Sequence, residues 1–352
     1  MGQTMSITTL EQLKKRLDLT ADELSWKPSP TSVPLLITDH YMALLDPHDP
    51  NDPLRRQVVP TCHENRSSDT ESPDPLMEVS HSHGDRLVHR YSNRVAFLAT
   101  DICPMYCRHC FRRRFTGNMM GKASESDIAS ACEYLKNNPQ IKEMLLTGGD
   151  PLTLSDNDLN QMVGSFRLAR PDLIIRICTR YPVSQPSRIT PELVAMFKSH
   201  KSAPFYLMTQ FNHPREITEE SIKAVSLFVD AGIPAMNQSV LLRGVNDDVD
   251  TLEELCNTLL FYRIKPYYLF QGDMVIGTEY FRVPIRRGME IEQALRQRLS
   301  GLAMPNYVAD LPHGGGKIPL CGSYILKAPG KEKGSWLFRT PEGETRQVSD
   351  PL

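Results

Sequence analysis

Three of the eight cysteines in the sequence are crowded into one short segment. Cys103, Cys107 and Cys110 follow the spacing Cys-x3-Cys-x2-Cys. Three thiolates on one loop can ligate three irons of a four-iron cluster and leave the fourth iron without a protein ligand. An iron that is open in this way can bind and activate a small molecule. The spacing therefore predicts a [4Fe–4S] cluster with one ligand-binding iron.

A structural zinc site is the alternative for this triplet. Such a site normally needs four ligands, and no second Cys-x2-Cys or His-x2-His pair follows at a suitable distance. His109 could supply a fourth ligand, but its place between Cys107 and Cys110 would strain the geometry. The cluster is therefore favoured over zinc. The remaining cysteines are scattered, and we expect packed or surface thiols at Cys62, Cys132, Cys178, Cys256 and Cys321.

Two further segments carry groups that suit a phosphorylated carbonyl cofactor. Lys317 follows three glycines, 314–316, which would let its amine approach a cofactor without crowding, as a Schiff base requires. The segment 90–94 supplies the guanidinium groups of Arg90 and Arg94 and the phenol of Tyr91, which can bind a phosphate and stack on a ring. A flexible hinge and a solvated basic turn explain the two segments equally well.

The run Cys-Pro-Met-Tyr-Cys-Arg-His-Cys-Phe-Arg-Arg-Arg, residues 103–114, resembles the lysine 2,3-aminomutase family of the radical S-adenosylmethionine superfamily. The resemblance covers roughly residues 91–320. It implies an isomerase that moves the 2-amino group of L-lysine to carbon 3, giving β-lysine. It also implies three cofactors, a [4Fe–4S] cluster, S-adenosyl-L-methionine chelated to the open iron, and pyridoxal 5′-phosphate.

The resemblance also implies which residues bind the cofactors. The Schiff-base lysine of the family falls on Lys317, which makes Lys317 the candidate catalytic residue. The phosphate-binding positions fall within 90–94, and the segment that meets the methionyl amino group falls on 148–150, which alone would be read as a plain turn. The implied cofactor-binding residues are Lys317, Arg90, Tyr91, Arg94, Gly148, Gly149 and Asp150.

Substrate choice is implied by three more positions. Arg112 matches the arginine that pairs with the substrate carboxylate, a task suited to a two-pronged guanidinium. Asp273 and Asp310 match the two carboxylates that hold the distal ammonium of lysine. A related glutamate-specific branch would not place anions there, because they would repel a side-chain carboxylate. The three residues therefore favour lysine.

Two departures from the family pattern bear on partners. Gln210 stands where the family commonly has histidine, and the cysteines of the interchain zinc site of the clostridial-type enzyme are absent, with Asp248 in place of one. We therefore expect any homo-oligomer to form without zinc. The chain also resembles the bacterial branch that isomerises lysine for attachment to translation elongation factor P. A non-catalytic iron–sulfur protein on the same scaffold is a third reading, although Arg112, Asp273 and Lys317 are all retained.

The elements that must position these residues form a regular pattern from residue 94 onward. Short apolar runs alternate with amphipathic segments, as in strand–helix units around a parallel sheet. The predicted strands are 95–100, 143–146, 173–178, 205–209, 235–242 and 266–270, and the predicted helices are 125–137, 156–168, 191–199, 219–231 and 249–262. The polar motifs follow the strands, where parallel barrels gather their chemistry. We predict an α/β fold, a partial (βα)6 parallel barrel of the radical S-adenosylmethionine type.

Three regions are predicted along the chain. Residues 1–93 would form an N-terminal helical extension, with a polar loop over 62–83. Residues 94–285 would form the barrel core. Residues 286–352 would carry a helix at 290–299, an apolar run at 307–309, the segment of Lys317 and a tail with a small hairpin near Pro341.

The composition of the chain limits which other classes of protein it could belong to. The 352 residues are 40% hydrophobic and carry a formal net charge of −2, so no global field attracts nucleic acid or an anionic membrane. The basic run after the triplet has no aromatic platform for RNA. No signal peptide and no apolar stretch of membrane-spanning length are seen. We expect a cytoplasmic enzyme that acts on a small amino acid and receives electrons from an external donor.

Overall fold

The core of the fold is one curved sheet of ten strands in chain order. The computed structural model describes residues 6–118, 120–311, 315–328 and 335–349. The strands of the sheet are β1 Ser82–His83, β2 Leu87–Tyr91, β3 Arg94–Thr100, β4 Glu143–Gly148, β5 Ile174–Cys178, β6 Phe205–Thr209, β7 Ala235–Leu241, β8 Ile264–Gln271, β9 Asn306–Leu311 and β10 Gly316–Pro319. Strands β3 to β9 are parallel, and an antiparallel hairpin flanks them at each edge. The edges do not pair among the described residues, so the barrel is open.

Helices connect the parallel strands. The α-helices are α1 Leu10–Lys14, α2 Ala21–Leu24, α3 Asp39–Met42, α4 Pro53–Val58, α5 Glu125–Asn137, α6 Asp156–Ala169, α7 Tyr181–Ser184, α8 Pro191–Ser199, α9 Glu219–Asp230, α10 Val249–Phe261 and α11 Ile285–Arg298. Short 3-10 helices lie at Cys62–Asn65, Val79–His81, Pro151–Thr153, Pro186–Arg188, Pro214–Glu216 and Glu279–Phe281. Helices α5, α6, α8, α9 and α10 each begin after a Ser, Thr or Asp whose side chain accepts a backbone N–H of the first turn.

Alternation along the strands separates the hydrophobic core from the inside of the barrel. On β4, Met144 and Leu146 are fully buried against the helices, whereas Thr147 faces the interior. On β5, Ile175 and Ile177 pack into the same core and Arg176 faces inward. Successive side chains of a strand point to opposite faces. The apolar positions therefore build the outer core, and the polar positions line the barrel.

The predicted barrel is confirmed, with additions at both edges. All six predicted strands and the five helices between them are present, with ends that differ by at most two residues. The apolar run at 307–309 is part of a seventh parallel strand, β9, whose three apolar residues were too few to identify it. The region before residue 94 is not wholly helical, because β2 pairs with β3 and extends the sheet.

The C-terminal part adds a second, small sheet. Strands β11 Ile325–Lys327, β12 Ser335–Arg339 and β13 Thr345–Ser349 pair antiparallel. The predicted hairpin near Pro341 is the connection between β12 and β13. Residues 312–314, including the first glycine before Lys317, lie outside the described residues. Within the described part of the chain, no helix is both long and apolar enough to cross a bilayer.

Candidate active site

A cavity of about 400 Å³ lies within the curve of the sheet and reaches past the carboxyl ends of the parallel strands. Every residue to which the sequence analysis assigned a role lines this cavity. They are Arg90, Tyr91, Arg94, Cys103, Cys107, Cys110, Arg112, Gly148, Gly149, Asp150, Asp273, Asp310 and Lys317. Segments more than 200 residues apart in sequence therefore meet at one site.

The three cysteines lie on the loop that follows β3. Burial raises the pKa of Cys110, and the backbone N–H of Cys110 donates to the Cys107 carbonyl at 3.1 Å. A single zinc ion would bring its ligand atoms to within about 4 Å of one another. No three ligand atoms among these cysteines and His109 lie that close, since within the described residues only a different cluster has three such atoms within 4.8 Å. The wider separation suits a cluster, in which each cysteine binds a different iron.

His109 does not face the cysteines as a fourth ligand would. Its Nε2 lies 3.2 Å from the Gln210 amide nitrogen and 3.5 Å from that of Asn212. Burial, and then the charges of Arg180 and Arg113, lower the pKa of His109 well below its usual value. The imidazole is therefore neutral and accepts a hydrogen bond from an amide. The glutamine that departs from the family pattern supplies one such donor.

The two glycines at the end of β4, which line the cavity, also allow a close approach of backbone to backbone. A Cβ on Gly149 would lie 2.4 Å from the Ile102 carbonyl oxygen, and one on Gly148 would lie 2.3 Å from that of Thr100. The backbone N–H of Gly149 donates to Thr100 at 2.6 Å. Gly148 also has φ +122°, which other residues rarely adopt. The two glycines let β4 press directly against the start of the cysteine loop.

Asp150 joins two strand ends. Its carboxylate accepts the Thr179 hydroxyl at 2.8 Å and the backbone N–H of Arg180 at 2.7 Å. Burial raises the pKa of Asp150 to about 6, although these hydrogen bonds act in the opposite direction. Its carboxylate therefore fixes the end of β5 against the end of β4.

A buried polar network that was not predicted from the sequence contacts Cys107. The Arg180 guanidinium donates to Cys107 Sγ at 2.6 Å, to Gln57 Oε1 at 2.6 Å and to Glu216 Oε1 at 2.7 Å. Tyr41 donates to the same Glu216 oxygen at 2.8 Å. A donor to a cluster ligand influences the electron density at the iron. The sequence contains no signal for this network, because Gln57 and Glu216 lie 123 and 36 residues from Arg180.

The opposite end of the cavity is organised by one carboxylate. Asp310 accepts Lys317 Nζ at 2.6 Å, the Tyr91 hydroxyl at 3.1 Å and Arg90 Nη1 at 3.2 Å. The Arg94 guanidinium lies over the Tyr91 ring at 3.7 Å. The antiparallel pairing of β9 with β10 sets Lys317 directly opposite Asp310. The hairpin thus brings the candidate catalytic amine to the site.

Asp273 lines the same cavity and is buried close to Asp310. Burial, and then the neighbouring charge of Asp310, raise the pKa of Asp273 to about 7. Near neutral pH the Asp273 carboxyl is therefore partly protonated. A cation that entered would favour its ionisation.

Arg112 already has a carboxylate partner in the structure. Its Nη2 donates to Glu78 Oε1 at 2.7 Å and its Nε donates to Oε2 at 3.0 Å, while Nη1 lies 3.3 Å from the Thr147 hydroxyl. Arg114 pairs with Glu78 as well, at 3.1 Å. Glu78 was missed in the sequence because it lies in a polar loop 34 residues before Arg112.

Comparison with known proteins identifies the family to which this chain belongs. Residues 97–256, which include the cysteine loop, match the family model described as the radical SAM superfamily, so the chain is a radical S-adenosylmethionine protein. Residues 291–344 match a model described as lysine-2,3-aminomutase. The chain is 44% identical over 347 residues to the L-lysine 2,3-aminomutase of Clostridium subterminale, covering 98% of this chain and 82% of that one. It therefore belongs to the lysine 2,3-aminomutase family, and it is an isomerase.

Other relatives include a second substrate class. The L-lysine 2,3-aminomutase of Acetoanaerobium sticklandii is 45% identical over 98% of this chain and 82% of its own length. The glutamate 2,3-aminomutase of Clostridioides difficile is 37% identical over 98% of this chain and 80% of its own length. The resemblance seen in the sequence is thus confirmed at the level of the family. The choice of amino acid depends on individual residues.

The cofactors follow from the family, which uses a [4Fe–4S] cluster, S-adenosylmethionine and pyridoxal phosphate. The residues present fit them. The three cysteines are too far apart for one ion and suit separate irons, and Lys317 on β10 lines the cavity. Arg90 also has a buried Nε with no hydrogen-bond partner among the described residues, a donor that an anionic cofactor could use.

Replacement of Arg180 tests the contact with Cys107. Arg180→Lys keeps the charge opposite Glu216 but cannot reach the sulfur and both oxygens together. Because a hydrogen bond to a cluster sulfur stabilises the reduced form, we expect the midpoint potential to fall by on the order of tens of millivolts with iron content unchanged. A redox titration followed by electron paramagnetic resonance measures this.

Arg188→Lys is the matched control. Arg188 donates to backbone carbonyls of Leu152 and Leu154 and does not contact a cysteine. An equal shift of potential in both variants, or none in Arg180→Lys, would show that the contact with Cys107 does not tune the cluster.

Proposed function

We propose that this chain is a pyridoxal-phosphate-dependent L-lysine 2,3-aminomutase. The observation that carries the proposal is the pair of carboxylates, Asp273 and Asp310, on the cavity wall that also holds Lys317. Two anions on one shielded wall attract an ammonium group and repel a carboxylate. This supports lysine over glutamate as the substrate.

Binding of lysine would require an exchange of partners at Asp310. In the present structure one carboxylate oxygen, Oδ2, holds Lys317 Nζ, and the other, Oδ1, holds Arg90 and Tyr91. An amine must be unprotonated to attack a carbonyl, so Lys317 has to give up its proton and leave Oδ2. That oxygen then becomes available to the distal ammonium of the substrate. Arg90 and Tyr91 keep Asp310 in place during the exchange.

We further propose that Arg112 binds the substrate carboxylate while Glu78 keeps its guanidinium in position. Nη1 donates to the Thr147 hydroxyl at 3.3 Å and to the Gly148 carbonyl at 3.4 Å rather than to Glu78, and a substrate carboxylate would displace these two long contacts. With Arg112 at one end and the aspartates at the other, the substrate is held by both charged termini. Holding both ends fixes carbon 3 relative to the cofactors and is the main contribution of the protein to the reaction.

The bound groups supply the chemistry that side chains lack, radical generation by the cluster with S-adenosylmethionine and stabilisation of the migrating nitrogen by pyridoxal phosphate. We assign Cys103, Cys107 and Cys110 to the cluster, and Arg90, Tyr91 and Arg94 to the phosphate cofactor. The electron donor, supply of lysine for elongation factor P, the cytoplasmic location and a zinc-free oligomer stay predictions. A product assay with free lysine and with elongation factor P tests the choice of acceptor.

The cysteine assignment predicts about four irons per chain after anaerobic reconstitution. Replacement of Cys107 by alanine should abolish reductive cleavage of S-adenosylmethionine, because the cluster would lose one of three protein ligands. Release of methionine under dithionite measures the loss. Cys132→Ala, a half-buried thiol on α5, is the matched control. Cleavage that survives in Cys107→Ala but fails in Cys132→Ala would refute the assignment.

Lys317 should be the residue that borohydride links to pyridoxal phosphate. Its Nζ lies in the cavity, 5.5 Å from the Phe270 ring and 3.1 Å from the Tyr91 hydroxyl, so a planar cofactor would lie against aromatic side chains. Peptide mass spectrometry of the reduced protein identifies the site. Lys317→Ala should lose the adduct and retain iron, and Lys201→Ala should retain both. An adduct on another lysine of the wild-type protein would contradict the assignment.

Asp273→Asn should lower kcat/KM for lysine roughly 30-fold or more, because a shielded ammonium would lose a charged partner. This corresponds to a loss of about 2 to 5 kcal/mol of transition-state stabilisation. Iron content and the borohydride adduct should be unchanged. A wild-type preference for glutamate, or kinetics indifferent to this substitution, would refute the lysine assignment.

The same residue gives the reaction a pH dependence. Asp273 has its pKa raised to about 7, so its carboxylate is neutral below that pH and charged above it. The charged form attracts the ammonium, and kcat/KM reports the ionisation of the free enzyme. We therefore expect kcat/KM for lysine to rise as pH increases through about 7, and this rise should be absent in Asp273→Asn.

A further inference from the structure

Away from the barrel, three residues of different chemistry meet where α2 touches the 3-10 helix Cys62–Asn65. Asp22 Oδ2 lies 3.1 Å from His63 Nε2, and Asp22 Oδ1 lies 3.6 Å from Cys62 Sγ. All three potential ligand atoms lie within 4.8 Å of one another. The residues come from segments 40 positions apart in the sequence. The fold, and not local sequence, brings them together.

The separations match those around a tetrahedral zinc ion. Zinc binds cysteine sulfur at about 2.3 Å and histidine nitrogen or carboxylate oxygen at about 2.0 to 2.2 Å. Tetrahedral bonds of those lengths separate nitrogen from oxygen by about 3.3 Å and sulfur from oxygen by about 3.5 Å. The observed 3.1 Å, to Asp22 Oδ2, and 3.6 Å, to Asp22 Oδ1, are close to these values, and a small rotation of the Asp22 carboxylate would present one oxygen to the ion that His63 and Cys62 also bind. An ion could therefore enter with little movement of the side chains.

Buried ion pairs hold the backbone next to the ligands. Glu23, next to Asp22, pairs with Arg55 at 2.6 Å, and both side chains are at most 5% exposed. Glu64, next to His63, pairs with Arg113 at 3.0 Å and is fully buried. Each ligand-bearing turn is thus fixed from the inside while its ligand points outward. Such preorganisation reduces the entropy lost on binding.

The donor set selects the kind of metal. A thiol, an imidazole and one carboxylate suit zinc, whereas calcium and magnesium require mostly oxygen ligands. The Asp22 side chain is 58% exposed and that of His63 is 30% exposed, so an ion can reach the site from solvent. Three protein ligands leave a fourth position for water or a further ligand.

We propose that Asp22, Cys62 and His63 form a zinc site on the N-terminal extension, separate from the cysteine cluster of the cavity. Zinc would replace the proton of Cys62 and join α2 to the turn that carries Glu64. Glu64 in turn binds Arg113 of the cysteine loop, so the ion would stabilise the segment that packs against that loop. The proposal does not depend on which amino acid the enzyme isomerises.

The test uses full-length protein with its iron–sulfur cluster reconstituted and with free metal removed. Zinc is titrated against a chromophoric chelator, and bound zinc and iron are counted by elemental analysis. Wild-type protein should bind one zinc per chain in addition to its iron. Loss of a residue that only hydrogen-bonds to a metal ligand typically weakens metal binding by about 10- to 100-fold. Cys62→Ser and His63→Gln each remove a ligand itself, so each should weaken zinc binding by more than about 100-fold. Iron content should stay at the wild-type level.

A second aspartate–histidine pair provides the matched control. His48 lies 2.7 Å from Asp18 on the surface, with no cysteine beside it, and His48→Gln should leave zinc binding unchanged. Cobalt offers an independent readout, since a sulfur-to-cobalt absorption band should appear in wild-type protein and in His48→Gln and vanish in Cys62→Ser. Equal melting temperatures of the metal-free proteins show that the variants fold.

Two outcomes would overturn the proposal. Zinc affinity that is the same in wild-type protein, Cys62→Ser and His63→Gln would show that these residues are not ligands. If zinc binding disappears once the three cavity cysteines are fully loaded with iron, the zinc was bound at those cysteines and not at Cys62 and His63.

Discussion

The ion pair between Arg108 and Glu64 is the interaction on which the site depends. Both side chains are fully buried, and the arginine also donates to backbone carbonyls of Val33 and Pro34. Breaking a buried pair by removing one partner typically costs about 3 to 5 kcal/mol, because the other charge stays uncompensated. Arg108 lies between two of the cysteines, in a loop without helix or strand. The N-terminal extension, through Glu64, therefore holds the cysteine loop in shape.

The two ends of the cavity carry different arrangements of charged side chains. At the cysteine end, Arg112 and Arg180 line the cavity, each paired with a buried glutamate, and Arg180 also donates to Cys107. At the β9–β10 end, Asp273 and Asp310 share the wall with Arg90 and Lys317. The proposed substrate, lysine, has a carboxylate for Arg112 and a distal ammonium for the two aspartates. In that proposal the polarity of the cavity, more than its size, orients the substrate.

Sequence alone predicted the barrel, and every residue to which it assigned a role lines the cavity. Strands such as Ile174–Cys178 were visible because a short run of β-branched apolar residues, interrupted only by Arg176, is typical of a strand with one face in the core. β9 and β2 were not, because one has few apolar residues and the other lies in a polar region. Glu78, Gln57 and Glu216 left no local signal, since the side-chain partners described above lie 34 to 175 residues away and a single buried polar residue creates no periodic pattern in the sequence.

The order of strands in the sheet has a consequence for biosynthesis. Because neighbours in the sheet are also neighbours in the chain, each strand can dock as it leaves the ribosome, and the N-terminal half can pack first. The cysteines emerge after the segments that hold their loop, whereas Asp310 and Lys317 lie on the last two strands to join. The cysteine segment is thus synthesised some 200 residues before Lys317, and the two ends of the cavity come together only when the last strands have joined the sheet.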